Sequence, residues 1–323
     1  MTETENQEAA GPRTPALMLV LGLAIVLPNA WTSVTITRTR ALWTTSIVYV
    51  TSLAVTDMMV GFSLAAYNVL ILLGYDAWLA ENKLACLGYV FITFLSVVAS
   101  IMSYTVISID RYVYISRPYF YQRAITPRRV VGSVLTMWGA ATGLAVVMCA
   151  LKNADENVVC SRSTASKTDA YIVGPVYFTC SAVSGIMYAL ISRIALQQLK
   201  RTGPSQTPTA GTAEGPPVQE ALRRRLRAVK MFVVVFGVFL ICYTPYVVIN
   251  AMQRLTPVPV PNNVNNACLM LVLLNSLLNV PIYLALNAEF RVAFTRLCRR
   301  GQVESRQGSS MELASWTISG RRT

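Results

Sequence analysis

Seven stretches of this chain are almost unbroken in apolar residues, near 15–37, 45–74, 86–109, 130–151, 170–198, 229–252 and 264–286, with short polar segments between them. Each is long enough to cross a bilayer core, which takes roughly 20 apolar residues per helix. The pattern predicts an all-α membrane protein, a seven-transmembrane helix bundle over 15–286. The first run exceeds the apolar core of a signal peptide, has no small-residue cleavage site after it and carries Asn29 in its middle, so a retained helix behind a short acidic tail (1–14) is expected. After the seventh run, Phe290, Phe294 and Leu297 fall at helical spacing with basic residues on other faces. That predicts a short amphipathic C-terminal helix over 287–299 on the membrane surface, with Cys298 a candidate lipidation (palmitoylation) site. Segment 200–220 is rich in Pro, Gly, Thr and Ser without apolar periodicity, which predicts a flexible inner loop, and 300–323 reads as a disordered tail. There is no internal repeat of the kind an inverted-repeat transporter carries.

Composition agrees: 54% of the 323 residues are hydrophobic, 13% are charged and the mean hydropathy is +0.48, against about 25% charged in a soluble domain. A net charge of +13 raises the question of nucleic acid. If the N-terminal tail is outside and the runs alternate, however, only Arg13, Lys83, Lys152, Arg162, Lys167 and Arg254 of the 28 Lys and Arg fall outside. Basic residues stay on the cytoplasmic side during insertion, so the bias predicts N-out, C-in, and no soluble face remains for nucleic acid. The chain has no histidine, no paired carboxylates and no CxxC pair among its seven cysteines. That leaves no catalytic constellation or metal-site spacing and predicts a non-enzyme.

An ionisable group inside a membrane helix costs at least ~2.5–3.5 kcal/mol and is a functional candidate by default. Asp57 lies mid-helix, and Asn29, Ser100, Asn275, Ser276 and Asn279 offer it polar partners at similar depth from other runs. Carboxylate, hydroxyl and amide oxygens together suit a small hard cation, with Na+ at Asp57 the candidate. A hydrogen-bonded network that only fixes packing fits the same residues. Asp110-Arg111-Tyr112 ends the third run and continues through Ile115 and Pro118 to Tyr121.

With these residues in place, the chain from Leu17 to Cys298 resembles a class A, rhodopsin-like G-protein-coupled receptor. The family's marks recur in order: Asn29, Leu53 to Asp57, Trp78, Cys86, Asp110-Arg111-Tyr112 with Pro118, Trp138, Cys160, Cys242-Tyr243-Thr244-Pro245, and Asn275-Ser276 through Asn279 to Pro281 and Tyr283. The resemblance implies a multi-pass plasma-membrane receptor that activates a heterotrimeric G protein. On it, Asp110, Arg111, Tyr112, Pro118 and Tyr283 belong to G-protein coupling. Asp57, Ser100, Asn275 and Asn279 match an allosteric sodium pocket, the one cofactor-like ion implied, and this shifts the reading of that cluster towards function. Ile101, Phe239, Tyr243 and Pro245 match the activation switch, and Cys86 and Cys160 match a disulfide.

Departures from the family pattern shape further expectations. Tyr243 stands where a tryptophan is usual, Pro281 is displaced by one, and Pro175 lies too near the outer end to align Tyr188 or Ile191. Arg225 occupies a position where many members carry an acid that locks Arg111, so a resting restraint is missing and basal signalling is expected. Tyr67, Asn68, Thr93, Phe94, Val97, Tyr243, Tyr246, Asn250, Leu269 and Leu273 are expected to line the ligand pocket. No acid is among them, and Thr93 stands where amine receptors of the family carry an aspartate. An ordinary amine agonist is therefore not expected; a lipid, a small neutral molecule or a short peptide suits an apolar pocket with a few hydroxyls and amides. Membrane lipids and arrestin are the remaining partners considered, arrestin through Ser309, Ser310, Ser315, Thr317 and Ser319, which fit a merely solvated tail equally. A receptor-fold protein signalling through arrestin alone or acting as a dimer partner, and less so a transporter or channel, are the alternatives.

Overall fold

The computed structural model describes residues 13–39, 45–154, 167–201, 216–256 and 260–297. Among these, the long helices are α1 (Arg13–Arg38), α2 (Thr45–Leu72), α4 (Lys83–Ser116), α6 (Pro127–Ala154), α7 (Lys167–Arg201), α8 (Pro216–Leu255) and α9 (Asn262–Leu286). All seven are long and apolar enough to cross a membrane. Short helices α3 (Asp76–Glu81) and α5 (Pro118–Ala124) join α2 to α4 and α4 to α6, and α10 (288–297) follows α9.

The ends differ from expectation where local chemistry outlasts hydropathy. An apolar window stops at Asp110, but α4 continues to Ser116, and the Asn82 side chain caps its start by accepting from the Ala85 N–H at 2.9 Å. The expected loop over 200–220 is shorter at both ends, since α7 runs to Arg201 and α8 begins at Pro216. Proline in a first turn followed by Gln, Glu, Ala, Leu and Arg favours helix there. The rest of that segment, 202–215, lies outside the described residues, as do the tail before Arg13 and everything after Leu297. α2 ends at Leu72, and the turn that follows passes through Gly74, whose φ of 83° suits glycine. There the Tyr75 N–H donates to the Leu70 carbonyl and the Gly74 N–H to that of Ile71, both at 3.0 Å, closing the last turn.

In lipid, helices associate through close packing and hydrogen bonds rather than by hiding apolar surface. Leu17, Val20, Leu23, Leu27, Trp31 and Val34 form an exposed stripe on α1, while Ile25, Asn29, Thr32 and Ile36 face inward. At the α1–α2 seam two glycines meet: a Cβ on Gly22 would lie 2.7 Å from the Gly61 carbonyl, and one on Gly61 equally close to that of Gly22. α4 runs through the middle, packing against α2, α6, α7 and α8. Trp138 on α6 donates to Ser52 of α2 at 3.0 Å, and Thr105 on α4 to the Cys180 carbonyl of α7 at 3.2 Å. Along the inner face of α8, Phe232, Phe236, Phe239 and Tyr243 are buried at helical spacing. Tyr104 of α4 stacks on Phe239 at 4.2 Å, and Tyr188 of α7, buried like Ile191, packs on Phe236 at 5.2 Å.

α10 docks as an amphipathic helix. Asn287 caps it by accepting from the Phe290 N–H at 3.0 Å. Phe290 packs edge-on against Tyr283, and Phe294 against Trp31 of α1. Arg291 donates to the Leu284 carbonyl at 3.1 Å, satisfying the end of α9.

Candidate functional site

Two sites sit at opposite ends of α4, with a buried polar layer between them. At the Cys86 end, a cavity of about 160 Å³ opens between α4, α6, α7 and α8. Of the residues expected to line it, Thr93, Phe94, Val97, Tyr246 and Asn250 do so. The others do not. Tyr243 lies buried below, on Phe239 at 4.9 Å. Leu273 fills a separate cluster with Ile25 and Val60, and Tyr67 stacks on Tyr89 at 4.6 Å. Asn68 is buried against its own helix, donating to the Leu64 carbonyl, and half-buried Leu269 is not on the wall. The cavity thus leans towards α6 and α7 because ring stacking and the α1–α2–α9 cluster fill the other side.

Sequence reasoning missed Tyr89, Val173, Gly174, Val247 and, above all, Lys152 on this wall. On α6, Met137, Ala141, Ala145 and Met148 are buried at i, i+4, i+8 and i+11, and Lys152 is the next step of that stripe, only 4% exposed. Extending the helical period by one turn beyond the apolar run is the signal that finds it. Thr93 Oγ1 and Asn250 Oδ1 are buried at the cavity without a hydrogen-bond partner. No carboxylate is among the described lining residues. Cys86, beside Tyr89 at the head of α4, is disulfide-bonded; Cys160 lies outside the described residues.

The polar layer gathers the expected residues. Asn29, Asp57, Ser100, Asn275, Ser276 and Asn279 are each at most 2% exposed. The Asn279 amide donates to Asp57 Oδ2 at 2.7 Å, the Asn29 amide to the Ser276 carbonyl at 3.3 Å, and the Asn275 amide to the Tyr104 hydroxyl at 3.1 Å. Tyr104 was not expected there; with a hydrophobic face on Phe239 and a hydroxyl on Asn275, it links the layer to α8. Every amide N–H₂ has a partner, while Asn29 Oδ1, Asp57 Oδ1, Ser100 Oγ, Asn275 Oδ1 and Asn279 Oδ1 have none. Buried acceptors without donors are costly. An array of such oxygens around one carboxylate has the donor chemistry of a sodium or water site.

At the opposite end, Asp110 and Arg111 form a buried ion pair, with Arg111 Nε donating to Asp110 Oδ2 at 2.9 Å. Tyr121 of α5 donates to Asp110 Oδ1 at 2.9 Å, holding the carboxylate in place. The guanidinium lies over Tyr114 and over Phe232 of α8, each at 5.1 Å. Arg225 is in α8, but its side chain lies outside the described residues. A ring, not an acid, ties α8 to Arg111 among the described residues. Tyr112 is half-buried, Pro118 starts α5, and Tyr283 is 3% exposed. Ile101 and Phe239 are fully buried, and Pro245 sits inside α8. Thr244 before it donates to the Leu240 carbonyl at 2.6 Å, so Tyr177 of α7 must be the donor in its 2.6 Å contact with the Thr244 hydroxyl.

Seven apolar helices, a cavity at one end and a sheltered arginine at the other define a transmembrane receptor. Residues 28–283 match the 7 transmembrane receptor (rhodopsin family) model, and the chain belongs to that family. It is 27% identical to the histamine H2 receptor of Cavia porcellus, covering 91% of this chain and 82% of that one. It is 28% identical to the D(1)-like dopamine receptor of Oreochromis mossambicus, over 94% and 84% of the two chains. With the adenosine receptor A2b of Mus musculus it shares 25% identity, over 94% and 96%. The chain is a multi-pass plasma-membrane receptor of the G-protein-coupled class and not an enzyme.

Proposed function

We propose that a compact ligand, not a protonated amine, enters the cavity at the Cys86 end and that α8 then releases Arg111 to a heterotrimeric G protein. The carrying observation is that α4 and α8 line the cavity at one end and form the Arg111–Phe232 contact at the other. Differential affinity of a ligand for two arrangements of α8 is all that coupling requires. A cavity of about 160 Å³ is near the size that holds a benzene-sized body, which favours a small molecule over a peptide or a long lipid. Two of the relatives above are named for the amines histamine and dopamine, and one for adenosine. Against an amine here stand Thr93 and the lack of a carboxylate among the described lining residues.

The basic bias and the disulfide-bonded Cys86 support an extracellular Cys86 end and a cytoplasmic Arg111 end, since disulfides persist outside the cell. The unpartnered oxygens support sodium held by Asp57, Ser100, Asn275 and Asn279; when bound it would supply positive charge that holds the resting arrangement. Basal signalling follows from the missing acid lock, moderated by Phe232. Arrestin recruitment through the tail and lipidation at Cys298 remain part of the proposal, and arrestin-only signalling is its alternative.

The test is nucleotide exchange on purified G proteins of each family, with Arg111→Ala as control. Agonist-free exchange above that control is expected. Exchange equal to it in every family removes the basal-signalling reading. Arrestin recruitment without exchange would favour the alternative, and saturable activation by histamine or dopamine would remove the exclusion of amines.

A further inference from the structure

Resting on the receptor reading above, which puts the Arg111 end in the cytoplasm, the geometry points to Thr126 as a site of phosphorylation by a proline-directed protein kinase, with Arg129 passing from the end of α5 to the new phosphate. Only Ile125 and Thr126 connect α5 to α6. Ile125 is extended, with φ −89° and ψ 92°. Pro127 follows Thr126, and a residue before proline is steered away from helical backbone. Thr126, Pro127, Arg128 and Arg129 are all exposed. A proline-directed kinase takes the hydroxyl residue immediately before a proline, and those that also read a cation read it three residues after the hydroxyl. The chain has five Thr-Pro steps, at Thr14, Thr126, Thr207, Thr244 and Thr256, and no Ser-Pro step. Of these, Thr126 alone has a basic residue three places on, Arg129. Seating Arg129 in a kinase groove requires the first turn of α6 to fray, and the end of a helix is where it opens most easily.

In the transfer, the Thr126 hydroxyl oxygen attacks the γ-phosphorus of ATP. An Oγ1–P bond forms, the bond from that phosphorus to the β–γ bridging oxygen breaks, and ADP leaves with the bridging oxygen and the electron pair. The hydroxyl proton goes to the catalytic aspartate of the kinase. The product carries a charge of about −1.5 to −2 at neutral pH. Before modification, the Arg129 backbone N–H donates to Thr126 Oγ1 at 3.4 Å, and its guanidinium donates to the Ala124 carbonyl at 2.6 Å. The second bond ties the end of α5 to α6. A phosphate on Oγ1 stands beside the same residue and offers charged oxygens in place of a neutral carbonyl, and arginine can meet phosphate with two parallel bonds. From Arg117 to Arg129 the chain has no acid to compete for the guanidinium. Arg129 therefore turns to the phosphate, and the last turn of α5 loses its tie to α6. That turn is closed by the Ile125 N–H on the Tyr121 carbonyl at 2.9 Å. Tyr121 also donates to Asp110, so the modification reaches the Arg111 site through α5.

The test incubates full-length, detergent-solubilised receptor with ATP and a cyclin-dependent kinase, and locates the phosphate by mass spectrometry. Wild type is expected to take up phosphate at Thr126. Thr126→Ser and Arg129→Lys should keep the reaction, Thr126→Ala and Pro127→Ala should lose it there, and Arg129→Ala should slow it by about tenfold or more, the effect of removing a hydrogen bond to a charged group. Amide hydrogen exchange over residues 121–125 reads the second half of the inference. It should quicken by roughly 2- to 10-fold when wild type is phosphorylated, the size expected for one lost hydrogen bond. Arg129→Ala should show the faster exchange with no phosphate present. Phosphate placed at Thr207 or Thr256 instead of Thr126, a rate unchanged by Pro127→Ala or Arg129→Ala, or unchanged exchange over 121–125 would overturn the inference. Melting temperatures check that each variant folds; if Pro127→Ala does not, the contrast of Thr126→Ser and Arg129→Lys with Thr126→Ala and Arg129→Ala still decides. Because neither readout needs a G protein, loss of this inference leaves the nucleotide-exchange experiment, and the receptor reading, intact.

Discussion

Among the described residues, Arg111 lies against Asp110, Tyr114, Tyr121 and Phe232, and of these Phe232 belongs to α8. A cation over a desolvated ring contributes about 0.5–2 kcal/mol, so Phe232→Ala should raise the ratio of active to resting receptor by roughly 2- to 30-fold. Agonist-free nucleotide exchange measures this, and Phe232→Tyr should stay near wild type. A rate unchanged in Phe232→Ala would show that the ring merely fills space. In the polar layer, sodium in place of a large organic cation at equal ionic strength should raise the melting temperature by roughly 2–4 °C, the size expected for about 1 kcal/mol of linkage. Asp57→Asn should abolish the difference, and a shift that survives this substitution would assign the unpartnered oxygens to water alone. Residue by residue, legibility varied with context. Asp57 and its amides stood out because polar atoms in an apolar run have few explanations. Lys152 did not, because a basic residue at the end of a run has a bland one. Tyr104 was hidden for a different reason: an aromatic in a core helix reveals nothing about where its hydroxyl ends.

Among the elements, all seven spans were legible because each must exceed the bilayer thickness, and α10 because Phe290 and Phe294 repeat at helical spacing. The ends were less so. Hydropathy stops at Asp110 although the backbone of α4 continues to Ser116, and it passes over the helix-forming start of α8. The side of the bundle on which the cavity opens was not legible, since it depends on the Tyr67–Tyr89 stack and on where Leu273 finds its neighbours. The α1–α2 seam gives a clear test at this scale. Gly61→Ala places a methyl group 2.7 Å from a backbone oxygen, whereas a Cβ at Gly139 or Gly143 meets nothing within 4 Å. Surface expression and melting temperature should fall for Gly61→Ala, by about 1–3 kcal/mol of overpacking, and stay near wild type for the other two. A tolerated Gly61→Ala would mean the seam opens freely. Removing the Tyr177 hydroxyl should cost less, about 0.6 kcal/mol for an interhelical hydrogen bond in a membrane, visible as a small drop in the melting temperature of Tyr177→Phe.

For the whole molecule, the distribution of basic residues carries a prediction independent of any ligand. An epitope fused before Met1 should be stained on intact cells and one fused after Thr323 only after permeabilisation; the reverse would invert the membrane sidedness proposed above. The glycine seam has a wider consequence. Where two backbones touch, neither helix can turn or slip without a steric collision, so α1 and α2 behave as one rigid plank. α8 meets α4 and α7 instead through rings, Tyr104, Tyr177 and Tyr188 against Phe236 and Phe239, and rings can roll over one another while staying in contact. The bundle is therefore built as a fixed half and a rolling half. Paired spin labels should report a constant distance between α1 and α2 when a G protein binds, and a lengthening one between α4 and α8.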